Sequence, residues 1–413
     1  MRKTGLTGRI VLGLVAGLPV GLYLGADAAI LGEIGKVVIQ AIKLAAAPLL
    51  MFTIIGAVLT TSVGAKDGAR MSFFCAVNAV IALAIGLLLS NLLKPGLHLA
   101  AAAGYGANGE AALAAAVGNK IGLASFLGNF VPPSLVQPFA DNAIFPLVVM
   151  SLALGLALRK LKDQGESVES IGKGVAVLRR AMEILLSWII QAAPLAVFGV
   201  VASSIGKYGL SPLKGLAAYV CVGLLGLILH PLIVYQGWLV AYVRLPLGRF
   251  WREAREPVIY AAGANSSLAT LPLTLKALDN LGVSKTASTL GACVGTNLNN
   301  DGIILYEAMA VLFVAQAHGL HLSFAQQLSA AFSCLIAAMG IAGVPEAGFI
   351  SLSLVLGTVG LPVELLPLLL TVDWILARAR SVVNVLGDMM ISILIDRAAG
   401  RRFTERAAVS GNS

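Results

Sequence analysis

Val372–Asp388 reads VDWILARARSVVNVLGD. Asp373, Arg378, Arg380, Asn384 and Asp388 stand in this stretch, inside a long apolar segment. On a helix of 3.6 residues per turn, steps of three, four and seven stay on one face. Asp373, Ala377, Arg380, Ser381, Asn384 and Asp388 follow those steps, so one stripe is polar. Trp374, Ile375, Val382, Val385 and Leu386 make the opposite face apolar. Lipid cannot cover the polar stripe, because a charged side chain at the bilayer centre costs about 3 kcal/mol or more. The stripe is therefore expected to line a wet or ligand-filled cavity within the protein. A helix on a solvated surface would also be amphipathic, but it would not have such apolar flanks.

The rest of the chain supports a membrane setting. Of its 413 residues 58% are hydrophobic and 12% charged, against about 25% charged in a soluble domain. An all-α polytopic membrane protein is expected. The net charge of +9 calls for no nucleic acid, since most Lys and Arg cluster in short loops. The 45 glycines suit close helix packing and broken helices. Cys75, Cys221, Cys293 and Cys334 lie singly in apolar segments, as packing residues rather than a disulfide framework or metal site. Met1–Ala29, with Arg2 and Lys3 before an apolar run, has features of a signal peptide. The run continues into further membrane segments without an A-x-A site, so a retained first helix is expected.

Apolar segments cover 8–30, 34–63, 71–95, 142–161, 181–206 and 213–243, each long enough for about 30 Å of hydrocarbon. Arg2, Lys3 and Arg9 precede the first. Lys66 and Arg70 follow the second. Arg159, Lys160, Lys162, Lys173, Arg179 and Arg180 follow the fourth. Arg244, Arg249, Arg252 and Arg255 follow the sixth. The positive-inside rule makes all of these cytoplasmic and the loop 96–141 external. Arg397, Arg401, Arg402 and Arg406 make the C-terminal tail cytoplasmic too, so the chain crosses an even number of times between Glu256 and Arg397. The apolar segments there are 257–281, 286–317, 324–357 and 361–396. Three are interrupted: at Asn265-Ser266-Ser267 and Pro272, at Asn297–Gly302, and at Gly340–Pro345. Non-helical backbone at membrane depth survives only inside protein or beside a cavity. Either all four segments cross, or the first and third are re-entrant hairpins. The second arrangement is favoured, giving eight transmembrane helices and two hairpins. A hairpin–helix unit repeated with opposite insertion is the inverted-repeat logic of secondary transporters.

Asn299-Asn300-Asp301-Gly302 would be a surface turn in a soluble protein. Within a bilayer, an unwound turn with Asn and Asp oxygens suits a hard cation; the alternative is a structural kink. Ser266 and Ser267 at a hairpin tip, with helix N-termini, suit an anion. Arg380 is the strongest signal, since its guanidinium binds a carboxylate bidentately; the alternative is an ion pair with Asp373 or Asp388. Glu307 lies about one and a half turns beyond Asp301. It reads as a proton carrier, because burial penalises its charged form, or as a fixed partner for an arginine such as Arg378. His230, followed by Pro231, reads as a structural hydrogen-bonder rather than a relay. No His, Asp and Ser constellation points to an intramembrane hydrolase.

These residues resemble the dicarboxylate/amino acid:cation symporter family, over nearly the whole chain and most densely from Asn265 to Asp388. Asn299–Gly302 is similar to the family's N-M-D-G-T. Gly340–Gly348 is similar to G-x-A-G-x-P-x-A-G at the second hairpin tip. Asp373–Asp388 is similar to D-x-x-x-D-x-x-R-x-x-x-N-x-x-G-D. The resemblance implies a homotrimer working by an elevator motion. Residues 1–68 would be scaffold helices 1 and 2, and 69–98 transport-domain helix 3. Residues 99–208 would hold the external loop and scaffold helices 4 and 5. Residues 209–400 would be the rest of the transport domain, and 401–413 a cytoplasmic tail.

Carried over position by position, Arg380 would hold the substrate's distal carboxylate. Asn384, Ser266, Ser267, Ser381 and Val344 would surround the remainder. Asn299, Asn384, Asp388 and the backbone at Gly295 would bind one sodium ion, Asp301 and Asn299 a second, and the backbone around Asn297 with the second hairpin a third. Glu307 and Arg378 would serve proton coupling, since the glutamate matching Glu307 in vertebrate relatives is tied to proton and potassium coupling. The departures are informative. The family's methionine is Asn300 here and its threonine is Ile303. The helix 3 residues that complete the second sodium site are Cys75, Asn78 and Ala79, and the aspartate that grips a substrate amino group is Ala377. The expectation is a symporter of small dicarboxylates, C4-dicarboxylates favoured, coupled to Na+ and/or H+. It would sit in the cell inner membrane with both termini cytoplasmic, using no cofactor beyond the coupling ions. An acidic amino acid carrier is the alternative; an anion channel is more remote.

Overall fold

The computed structural model describes residues 6–60, 65–103, 134–140, 144–340 and 347–401. Their regular structure is all helical, as an unclosed chain within hydrocarbon requires, because each backbone polar group must find its partner inside the segment. α1 (Leu6–Leu24) and α2 (Ala29–Thr60) are joined by a 3-10 turn at Gly25–Ala28. α3 (Ala65–Leu93) is followed by α4 (Pro95–Ala103). Then come α5 (Ile144–Asp163), α6 (Glu169–Gln191), α7 (Ala193–Tyr208) and α8 (Ser211–His230). The last runs on through π turns at Pro231–Tyr235 and Trp238–Val243. α9 (Leu247–Ala264) and α10 (Ser267–Leu281) precede α11 (Lys285–Ser288), which continues as a π turn, Thr289–Val294, and a 3-10 turn, Gly295–Asn297. α12 (Asp301–Ala317), α13 (Phe324–Gly340), α14 (Ala347–Val359) and α15 (Leu366–Ala398) complete the order.

Among the described residues Gly8–Gly35, Lys66–Leu93 and Leu213–Val243 are long and apolar enough to cross a membrane, and α6 with α7, bent by 42° where they meet, is apolar enough for a broken span or a re-entrant loop. The first of these is not one rod. Gly13, Gly17 and Gly21 lie against Pro194, Phe198 and Ala202 in ascending order, whereas Gly32 and Gly35 lie against Ser203 and Val200 in descending order. The chain therefore reverses at Gly25–Ala28, where Gly25 takes φ 55°, and α1 and α2 run along α7 in opposite directions. Glycine at each crossing lets the backbones approach.

Several boundaries differ from those expected. The segment expected from 181 begins at Glu169, so Lys173, Arg179 and Arg180 lie on α6. Lys173 pairs there with Glu169 at 2.6 Å and Arg179 with Glu183 at 2.8 Å, i,i+4 pairs that extend a helix beyond its apolar part. α9 begins at Leu247 rather than 257 and carries Arg249, Arg252 and Arg255. Pro272, expected as part of an interruption, lies inside α10; the helix is broken at Asn265–Ser266, where Asn265 takes φ 51°. The expected loop 96–141 opens with α4, and most of its remainder lies outside the described residues.

α12 and α15 form the centre. Every residue of α12 except Gln316 is buried. Gln316 closes the break at Lys94: its amide donates to the Ser90 carbonyl at 2.9 Å and its oxygen accepts from Gly96 N at 3.0 Å. On α15 all residues from Val383 to Asp396 are buried. The face opposite the polar stripe is therefore covered by protein there, Val385 and Leu386 included, as in any helix surrounded by others.

Candidate functional site

Most of the polar stripe of α15 is buried: Asp373 is 1% exposed, Ala377 2%, Arg380 3%, Asn384 5% and Asp388 3%, while Ser381 is half-buried. Arg380 donates through Nη1 to Asp373 Oδ1 at 2.6 Å and through Nη2 to Asp373 Oδ2 at 3.0 Å. The ion pair with Asp373, one of the alternatives open on sequence, is thus formed, two turns apart on one face, and uses two of the five guanidinium N–H donors. The Tyr306 ring lies beneath the guanidinium, its centroid 3.9 Å from Cζ, an arrangement that suits a desolvated cation. Gly348, in the first turn of α14, also packs against the guanidinium. A Cβ there would stand 2.9 Å from Nε and 3.0 Å from Cζ, so a larger residue would push the guanidinium out of place.

The tip between α9 and α10 meets the next residue of the stripe. Ser381 Oγ donates to Asn265 Oδ1 at 3.0 Å. Ser266 caps α10, its Oγ accepting from Ala269 N at 3.2 Å, the usual role of serine at that position. Ser267 begins α10 and, like Ser266, is half-buried. Arg378 is half-buried; its Nη1 donates to the Trp374 carbonyl at 2.6 Å and its guanidinium lies over the Trp374 ring at 5.8 Å. Val344 and the rest of 341–346 lie outside the described residues.

The break between α11 and α12 packs against the far end of the stripe. Asn299 Nδ2 reaches Asp388 Oδ1 at 3.5 Å. Asn384 Oδ1 accepts from Gly302 N at 2.9 Å, and its amide donates to Asn300 Oδ1 at 3.3 Å. Asn300 in turn donates to the Ala338 carbonyl of α13 at 3.0 Å. The Gly295 carbonyl accepts from Leu298 N and Asn299 N, each at 2.7 Å. Asp301 Oδ2 accepts from Tyr235 OH at 2.7 Å and faces His230 Nε2 at 3.3 Å. Asn299 Oδ1 and Asp301 Oδ1 are buried with no hydrogen-bond partner among the described residues. Bare buried oxygens are costly, and a hard cation would satisfy them. On α3, Cys75, Asn78 and Ala79 are all buried, and Asn78 Oδ1 accepts from Trp238 Nε1 at 2.9 Å.

Glu307 is fully buried on α12. Its Oε1 accepts from Ser351 of α14, while Oε2 has no partner among the described residues. Tyr235 and Ser351 carry no signal in the sequence, because each is an ordinary apolar-segment residue until the fold brings it to a charged group. His230 and Asp301 are each marked in the sequence, but that they meet is not. Pro231 was the available signal: a proline in a helix removes an i→i−4 bond, and a wide turn follows it.

The sodium:dicarboxylate symporter family model matches residues 6–398. The chain is 30% identical over 413 residues to a C4-dicarboxylate transport protein of Anaeromyxobacter sp. (strain K), covering 97% of this chain and 91% of that one. A C4-dicarboxylate transport protein of Laribacter hongkongensis (strain HLHK9) is 28% identical over 398 residues, covering 94% and 88%. C4-dicarboxylate transport protein 2 of Pseudomonas aeruginosa (strain UCBPP-PA14) is 30% identical over 394 residues, covering 94% and 89%.

Proposed function

Because the chain belongs to the sodium:dicarboxylate symporter family, and is therefore a transporter rather than an enzyme, we propose that it carries small dicarboxylates across the cell inner membrane, C4-dicarboxylates by preference. The observation that carries this reading is the setting of Arg380. Its guanidinium is buried against the Tyr306 ring and Gly348, one residue from the Ser381–Asn265 contact, so parts of both helix–break–helix units converge on one cation. A substrate carboxylate engages Arg380 there, with Asp373 holding the guanidinium in place. Ser266, Ser267, Ser381, Asn384 and Val344 surround the other end. Ala377 offers a methyl group, and Asp373 commits both its oxygens to Arg380. The site thus lacks an anion to pair with an ammonium, whose unpaired burial is very costly. A dicarboxylate makes no such demand.

Coupling falls to Na+ and/or H+. Sodium is held by Asn299, Asp301, Asn384, Asp388 and the backbone at Gly295, a reading supported by the two bare buried oxygens of Asn299 and Asp301. Protons act at Glu307, with Arg378 as the second coupling residue. The transport domain comprises 69–98 and 209–400 and moves as an elevator against a scaffold of 1–68 and 99–208 within a homotrimer, both termini cytoplasmic. Support comes from packing: α1 and α2 lie along α7 through glycines, while the named site residues belong to the span from α9 to α15. The test is uptake by the purified protein in liposomes of labelled succinate, aspartate and glutamate under separately imposed sodium and proton gradients. Concentrative, saturable succinate uptake is expected. Stereoselective L-aspartate uptake in preference to succinate would make it an acidic amino acid carrier, and non-saturable flux a channel.

A further inference from the structure

We propose that His230 and Tyr235 are positioning residues of the cation site: they hold one oxygen of Asp301 so that the other remains a bare acceptor beside the α11–α12 break. The inference rests on the cation coupling proposed above. Five residues separate the two side chains, and an α-helix would place them about 140° apart. The π turn Pro231–Tyr235 begins at a residue with no N–H to give. Its wider winding brings both onto the same carboxylate, as π turns often do at functional sites. The rings also fix each other, edge to face with centroids 4.9 Å apart.

Both groups act on one oxygen. Tyr235 OH donates to Asp301 Oδ2 at 2.7 Å, and His230 Nε2 lies 3.3 Å from the same atom, while Oδ1 receives no donor among the described residues. The bond places the imidazole proton on Nε2, and Nδ1 is buried as an acceptor alone. A network serving only to neutralise a buried acid would distribute its donors over both oxygens. This one saturates Oδ2 and spares Oδ1, and Asn299 Oδ1, two residues away, is spared too. The same hydroxyl neighbours Asn299: a Cβ on Gly387 would collide with both Tyr235 OH and the Asn299 amide. Tyr235 OH thus bonds Asp301 and lies near the Asn299 side-chain amide, and neither it nor His230 lies on the polar stripe of α15.

The experiment compares the parent protein with Tyr235→Phe, His230→Leu and His230→Gln. Sodium binding is read from tryptophan fluorescence without substrate, and succinate KM is measured in liposomes at saturating sodium. Loss of an outer partner of a metal ligand lowers metal affinity about 10–100-fold. Tyr235→Phe, which preserves shape, and His230→Leu should therefore raise half-saturating sodium at least about tenfold while succinate KM stays within about twofold. His230→Gln, which keeps an N–H donor, should recover most of the loss. Unchanged half-saturation in both Tyr235→Phe and His230→Leu, in a parent that responds to sodium, overturns the positioning role alone, as does a succinate KM that rises in parallel. A parent indifferent to sodium in both measurements overturns the sodium coupling itself and this inference with it.

Discussion

A methyl group and a guanidinium less than one turn apart on one stripe separate the substrate classes. Ala377 is buried beside the Arg380–Asp373 pair, and selectivity is gained chiefly by pairing a polar group that a rival ligand lacks. Ala377→Asp should shift preference from succinate toward L-aspartate, read by competition binding on both proteins. Tight, stereoselective L-aspartate binding by the unmodified protein would overturn the dicarboxylate reading. Arg380→Ala should weaken succinate binding well over tenfold, since truncating one partner of a buried charge pair costs about 2–5 kcal/mol. Asp373 is left unpaired by that change, so the thermal midpoint is measured alongside. A folded Arg380→Ala protein with unaltered succinate affinity would make Arg380 a structural partner of Asp373 and nothing more.

At the scale of elements, α12 joins the two halves of the proposed chemistry. Its first residue, Asp301, faces α8, and Glu307 bonds Ser351 of α14. A proton on Glu307 would therefore be sensed by the segment that also presses Gly348 on Arg380. Glu307→Gln should abolish pH-driven uptake while exchange of internal for external succinate continues. Uptake that keeps its pH dependence in this variant would remove Glu307 from coupling. α8 shows why some of the site was not legible. Periodicity of 3.6 puts His230 and Tyr235 on different faces, and the π turn after Pro231 brings them together. A local change in winding is invisible to any reading that assumes one period.

Across the whole molecule, the glycine contacts of α1, α2 and α7 lie outside the α9–α15 span that carries the named site residues, except that Gly35 also meets Pro367 of α15. Gly199 faces the Leu31 backbone, and overpacking a close contact costs about 1–3 kcal/mol. Gly199→Leu should lower the thermal midpoint yet leave succinate affinity of the folded protein unchanged. Weakened succinate binding at an unaltered midpoint would argue against a scaffold separate from the transport domain.

By itself the sequence determined the membrane setting, the helical class and the positions of most chain breaks, since these follow from hydropathy and from residues that cannot continue a helix. It also marked one stripe of α15 as polar, and that stripe is buried from Asp373 to Asp388 but for the half-buried Ser381. Tertiary structure decided the partners. Whether Arg380 paired with Asp373 or Asp388 was open from spacing alone, and the side-chain geometry chose Asp373. The extent of α6 and α9 was open too, because charged helical turns outside the apolar run resemble loops in composition. Which oxygens are donated to and which stay bare was undetermined for the same reason. Hydrogen bonding at a break depends on helices far away in the chain, here α8 and α15, and their approach is a property of packing, not of local pattern.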